Sequence, residues 1–139
     1  MLDLEVLHEW GLFCIGGTMR DITINGITWH VIRVPPYHQC LVDRSNILTV
    51  GTTDPMTRTI YLANNLKGEF EKRVVAHEIG HAVCFSYGLL EEIHRCCHKR
   101  HWIDMEEFIC NFVADYGERI WELTKDITKV PVYLERLVS

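Results

Sequence analysis

Short runs of β-branched and aromatic residues fill the first half of the chain and predict strands. Two runs in "ITINGITWHVIRVPP" are separated by Asn25-Gly26, a dipeptide that favours a two-residue hairpin turn. The second run must end before Pro35, because proline has no backbone N–H to donate to a neighbouring strand. Another pair, "NILTVGTT" and "RTIYLA", is joined through Asp54-Pro55. This half therefore predicts a small antiparallel sheet.

The second half has a helical pattern. From about 66 to 87 apolar residues lie on all sides of the predicted helix, which is typical of a buried helix, and Gly88 is expected to end it. A polar connection, "LEEIHRCCHKRHW", leads to another long helix at about 104–124, and a short helix is predicted at 3–10. We expect the 104–124 helix to contact the core through seven large residues: Phe108, Ile109, Phe112, Val113, Tyr116, Ile120 and Leu123.

Length and composition favour one globular domain, residues 1–139, of the α+β class. Of the 139 residues, 47% are hydrophobic and 24% charged. A net charge of -5 without a long basic run argues against a nucleic-acid partner. No apolar run approaches the roughly 18 residues that span a bilayer, so no membrane partner is expected. Because the N-terminus lacks the basic start of an export signal, we expect the six cysteines to be reduced thiols in the cytoplasm.

The stretch "RVVAHEIGHAV" places two histidines four residues apart on the predicted buried helix. Positions four apart differ by about 40° around a helix, so His77 and His81 point the same way and can hold one ion. Neutral imidazoles bind Zn²⁺, and Glu78 is placed to take a proton from a water on that ion. The alternative is a histidine pair in the core without a metal, but three buried polar side chains without partners would be costly. We therefore expect one catalytic zinc ion.

A catalytic zinc needs a third protein ligand. The pattern H-E-x-x-H-x-x-G-x-x-H is excluded, because Cys84 and Tyr87 stand where it requires Gly and His. The helix at 104–124 offers Glu106 and Glu107 instead. Glu107 lies on a polar stripe opposite the expected core face, and Glu106 lies nearer its apolar flank, so helix geometry alone leaves both candidates open.

"HEIGHA" followed about 26 residues on by "EFICNFVAD" resembles the ImmA/IrrE-type zinc metallopeptidases of phages, mobile elements and bacterial stress responses. The second signature of that family is similar to E-x-x-[AC]-N-x-x-A, and the resemblance covers roughly residues 47–117. It implies a zincin-like fold, zinc ligands His77, His81 and Glu107, and Glu78 as the catalytic acid/base. It also implies hydrolysis of a protein or peptide substrate, such as a repressor. The competing hypothesis is a catalytically silent zinc-binding protein that acts through protein contacts.

The segment "HRCCHKRHW" contains a second set of residues able to bind metal: His94, Cys96, Cys97, His98 and His101. A structural zinc site usually takes its four ligands from two separated pairs, whereas these residues form one crowded cluster. We therefore favour a polar loop near the mouth of the active site, where one histidine could stabilise an oxyanion, over a second metal site.

Overall fold

The computed structural model of the protein describes residues 19–129, and the helix predicted at 3–10 lies outside them. One sheet contains β1 (Arg20–Ile24), β2 (Ile27–Val34), β3 (Gly51–Asp54) and β4 (Thr59–Ala63). The helices are α1 (Gly68–Ser86), α2 (Leu89–Cys96) and α3 (Trp102–Ile127), with short 3-10 turns at Gln39–Leu41 and Lys99–His101. This part of the chain is an α+β domain, as predicted. Within residues 19–129, no helix combines the length and apolar character needed to cross a bilayer.

The sheet is mixed, in the order β1-β2-β4-β3. Both predicted hairpins form: β1 pairs antiparallel with β2 around Asn25 and Gly26, which have positive φ, and β3 pairs antiparallel with β4. The prediction of a wholly antiparallel sheet is wrong, because β2 and β4 run parallel. After β2, residues 35–50 lead to β3 at the edge of the sheet and leave the place beside β2 open. The next strand, β4, fills that place between β2 and β3.

The core lies between the sheet and α1. Every residue of the inner strand β4 is buried, and its last four residues form one apolar cluster with Trp29, Leu41, Val74 and Ala82. The Trp29 indole N–H donates to the Ser86 hydroxyl at 2.8 Å, which fixes the end of α1 against β2. The helix that carries the two histidines therefore packs on the sheet, against β3 and β4.

The helix predicted at about 66–87 is confirmed as α1, and Gly88 follows it with a φ of 66°. The segment after Gly88 was predicted as a polar connection, but it contains α2. That helix presents charged residues to solvent, buries Ile93 and contacts both α1 and α3.

The predicted core face of α3 is wrong. Six of its seven residues, all but Ile109, are exposed, whereas the buried residues of α3 are Glu106 and Cys110. The polar stripe faces α1 instead, because α1 presents charged partners there: Arg73 Nε donates to Asp115 Oδ1 at 2.7 Å, and Lys72 Nζ to Glu118 Oε1 at 2.8 Å. Amphipathicity gave the wrong side because the side of α3 that meets α1 carries these ion pairs and the buried Glu106 and Cys110, and not the large apolar residues.

Glycine permits the close approach of α1 and α3. A Cβ atom on Gly80 would lie 3.2 Å from Cys110 Sγ and 3.4 Å from Cys110 Cα. The first distance is tighter than ordinary van der Waals contact, so a side chain at position 80 would require Cys110 to shift by a few tenths of an ångström.

Alanine substitutions at two helical glycines should therefore have opposite effects. Gly117→Ala, whose Cβ would meet Val113 at an ordinary 3.5 Å, should stabilise the protein by up to about 1 kcal/mol through helix propensity. Gly80→Ala gains the same propensity but strains the contact with Cys110, and we expect a net loss of about 1 kcal/mol. Urea unfolding measures both, and equal stabilisation by the two changes would contradict a tight helix contact at Gly80.

Candidate metal centre

His77 and His81 lie one turn apart on α1, on the side that faces α3. The Nε2 atoms of the two rings are 3.1 Å apart, and His81 is the more deeply buried of the two. The four-residue spacing therefore produces the predicted pair on one face of a helix.

Glu107 of α3 completes a triangle of donor atoms. Its Oε2 lies 3.1 Å from His77 Nε2, and its Oε1 lies 3.4 Å from His81 Nε2. Zinc with ligand bonds of 2.0–2.1 Å and tetrahedral angles would separate its ligand atoms by about 3.3 Å. Among residues 19–129, His77, His81 and Glu107 are the one group of three or more such side chains close enough to hold a metal ion.

Glu106 contacts His81 from the other side of the ring. Its carboxylate is 4% exposed and accepts a hydrogen bond from His81 Nδ1 at 2.8 Å. A proton on Nδ1 leaves the Nε2 lone pair of a neutral imidazole free to point toward His77 and Glu107. The structure thus separates the two candidates: Glu107 joins the donor group, and Glu106 orients one of the histidines.

Arg44 connects both glutamates. Its Nη1 donates to Glu106 Oε2 at 2.8 Å, and its Nη2 donates to Glu107 Oε1 at 3.1 Å. These two hydrogen bonds restrain the adjacent carboxylates of Glu106 and Glu107. Sequence reasoning missed Arg44, because it lies in an irregular segment outside any motif and its partners are 62 and 63 residues away.

Glu78 is buried beside β3, with 6% of its surface exposed. The Thr53 hydroxyl is 2.6 Å from Glu78 Oε2, and a Cβ at Gly51 would lie 3.1 Å from Glu78 Cγ. Burial raises the pKa of Glu78, although the Thr53 hydrogen bond and the nearby histidines oppose the rise. A carboxylate with a raised pKa suits proton transfer near neutral pH. Thr53 was another residue without a signal in the sequence.

Charge pairing sets the protonation of the donor group. Burial would lower the pKa of His81, but hydrogen bonds with Glu106 and Glu107 outweigh it and raise that pKa to about 9. The hydrogen bonds from His77 and His81 hold the pKa of Glu107 well below its usual range. Without a metal, His81 is therefore a cation between two carboxylates near neutral pH.

The donor group and Glu78 line an open cleft of about 980 Å³. Its walls come from residues 39–44, β3, α1 and the first half of α3, and include Phe70 and Arg73. A peptide segment can therefore reach the donor group.

The five residues of the His/Cys cluster, His94, Cys96, Cys97, His98 and His101, do not form a metal group in the described part of the chain. None of them lines the cleft, so none is in place to stabilise an oxyanion there. The ring of His94 stacks on Trp102 with centroids 3.6 Å apart. The cluster thus forms the end of α2 and the turn into α3, and it holds that corner by ring stacking.

In comparisons with known proteins, no family model and no curated protein matches the chain. The resemblance to the ImmA/IrrE-type metallopeptidases therefore stays a prediction from the motifs.

Removal of either glutamate should separate their roles in metal binding. Glu107→Ala should weaken zinc binding by more than about 100-fold, because a donor is lost, whereas Glu106→Gln should weaken it by about 10- to 100-fold, because His81 loses its charged partner. Competition against a fluorescent zinc chelator measures both, with Glu71→Gln, which alters only an ion pair with Arg33, as the control. Full affinity in Glu107→Ala would move the third ligand elsewhere.

Zinc affinity should also depend on pH. Since the pKa of His81 is raised to about 9 in the metal-free protein, a proton must leave this ring before it can bind a metal. We expect the apparent affinity to rise by about tenfold per pH unit below pH 9 and to level off above it. In Glu106→Gln the plateau should begin at lower pH. An affinity that does not change between pH 6 and 9 would contradict ligation by His81.

Proposed function

We propose that the protein is a zinc metalloendopeptidase of the ImmA/IrrE type that hydrolyses peptide bonds in a protein substrate. The observation that carries the proposal is the triangle formed by His77, His81 and Glu107, with the Glu78 carboxylate beside it in one open cleft. Two imidazoles and one carboxylate are a donor set that suits zinc.

The number of donors favours a catalytic site over a structural one. Structural zinc sites are closed by four protein ligands, whereas catalytic sites use three and leave a position for water or substrate. The described residues supply three, and the cleft gives solvent access to them. A silent zinc-binding protein would have no need of an open position or of a buried carboxylate beside it.

The chemistry divides between the ion and Glu78. Zinc, when bound, lowers the pKa of a water ligand to about 7 and polarises a carbonyl. Glu78 accepts a proton from the attacking water and returns it to the leaving amine. Thr53 fixes one oxygen of the carboxylate through its hydroxyl, so the base is oriented before the substrate arrives.

The shape of the site supports an extended peptide as substrate. β3 is an edge strand of the sheet and lines the cleft through Gly51, Thr52 and Thr53. An unpaired strand edge can bind an extended segment through backbone hydrogen bonds.

The substrate class implied by the family resemblance is a regulatory protein of a phage or mobile element. A reducing compartment, the cytoplasm, suits the free thiols of Cys84, Cys96, Cys97 and Cys110.

The decisive variant is Glu78→Gln, which keeps the shape of the side chain but removes its basicity. It should retain one equivalent of zinc and lose at least about 100-fold in the rate of peptide cleavage. The assay uses the purified zinc-loaded protein and a randomised library of fluorogenic peptides, with Glu71→Gln as the control of unchanged activity. A wild-type protein that binds zinc but cleaves nothing would favour the silent zinc-binding alternative, and a fully active Glu78→Gln would contradict the role of Glu78 as the base.

A further inference from the structure

One side of α3 is apolar along its length and is not covered by any residue between 19 and 129. Its large side chains are 44% to 84% exposed: Phe108, Phe112, Val113, Tyr116, Ile120, Leu123 and Ile127. A monomer seldom leaves an apolar patch of this extent in water unless it binds something. The face therefore needs a partner.

The spacing on this face is that of a coiled coil. Six residues follow one another at intervals of four and three: Ile109, Val113, Tyr116, Ile120, Leu123 and Ile127. Alternate steps of four and three produce the a/d seam along which two helices supercoil. We call these six residues the α3 seam.

The end of α3 has no tertiary support in the described part of the chain. The ion pairs between α1 and α3 end at Lys72 and Glu118. From 119 to 127 every residue except Thr124 is exposed, and the ion pair there, Arg119 with Glu122, lies within the helix. Between two and three turns of isolated helix are marginal in water, so this end needs a contact from outside the described domain.

We propose that the α3 seam pairs with the same seam of a second copy of this chain, antiparallel, to form a dimer. The seam is self-complementary in that direction. A two-fold axis near position 118 places Ile109, Val113 and Tyr116 opposite Ile127, Leu123 and Ile120 of the other copy. These three pairs, each occurring twice, combine an a position with a d position, as antiparallel packing requires.

Size also favours a second copy. The seam is about 27 Å long at 1.5 Å per residue, and a second copy supplies a helix of the same length. A standard interface buries about 800 Å² on each partner, and the seven large side chains of this face, 44% to 84% exposed, supply apolar surface toward it.

Dimer formation is compatible with an open site. The α3 seam lies about 160° around the helix from Glu107, so a second copy would pack on the side of α3 opposite α1 and the cleft. The dimer does not depend on the peptidase activity, and the two proposals can fail independently.

Sedimentation of the full chain between about 1 and 100 μM tests the dimer. The wild type should shift from the 16.2 kDa monomer to twice that mass as concentration rises. Ile120→Glu places a charge in the seam and should raise the dimer Kd by about 100-fold or more. Trp121→Glu is the matched control: Trp121 is the next residue, is 61% exposed, and lies about 100° away from Ile120, so this variant should dimerise like the wild type.

Both variants should fold, because neither side chain supports the domain core, and unchanged circular dichroism and zinc binding verify this. Leu123→Lys provides a second break in the seam and should behave like Ile120→Glu. A wild type that remains monomeric at 100 μM would overturn the proposal, and the face would then be covered by a terminal segment of the same chain or by another protein. Equal dimer Kd values for Ile120→Glu and Trp121→Glu would also overturn it, since association would then use another surface.

Discussion

The crossing of α1 and α3 at Gly80 and Cys110 is the contact on which the candidate site depends. α1 supplies both histidines and α3 supplies Glu107, so neither helix contains the donor group alone. The absence of a side chain at Gly80 brings the backbones close enough for the donor atoms of the two helices to lie within 4.8 Å of one another. A small change in helix separation would alter both distances from Glu107 to the histidines together.

The polar contacts at this crossing explain why the large apolar residues of α3 are exposed. Buried carboxylates are costly unless they are paired, and Glu106 meets this condition through His81 and Arg44. Arg73 with Asp115 continues the polar contact along the helices. Because these pairs occupy the inner side of α3, its large apolar residues remain on the outer side. The site and the apolar face that residues 19–129 leave uncovered are thus two consequences of one orientation of the helix.

The sheet contributes to the site as well as to the core. The hydroxyl of Thr53 on β3 contacts both the carboxylate and the backbone carbonyl of Glu78. The strand that borders the cleft is thereby bonded to the residue proposed as the base. Residues 39–44 close the cleft beyond β3 and bring Arg44 to α3. Three separate parts of the chain thus position groups around the two histidines.

The sequence by itself determined the features that depend on short-range spacing. It was sufficient for the hairpin at Asn25 and Gly26, the extent of α1 and the placement of His77 and His81 on one face, because each requires only local geometry. The tertiary structure alone decided the parallel pairing of β2 with β4, the separate positions of Glu106 and Glu107, and the contact with Arg44. It also reversed the expected orientation of α3. These features join residues more than 20 positions apart, and periodicity within one helix shows which residues share a face but not what that face meets.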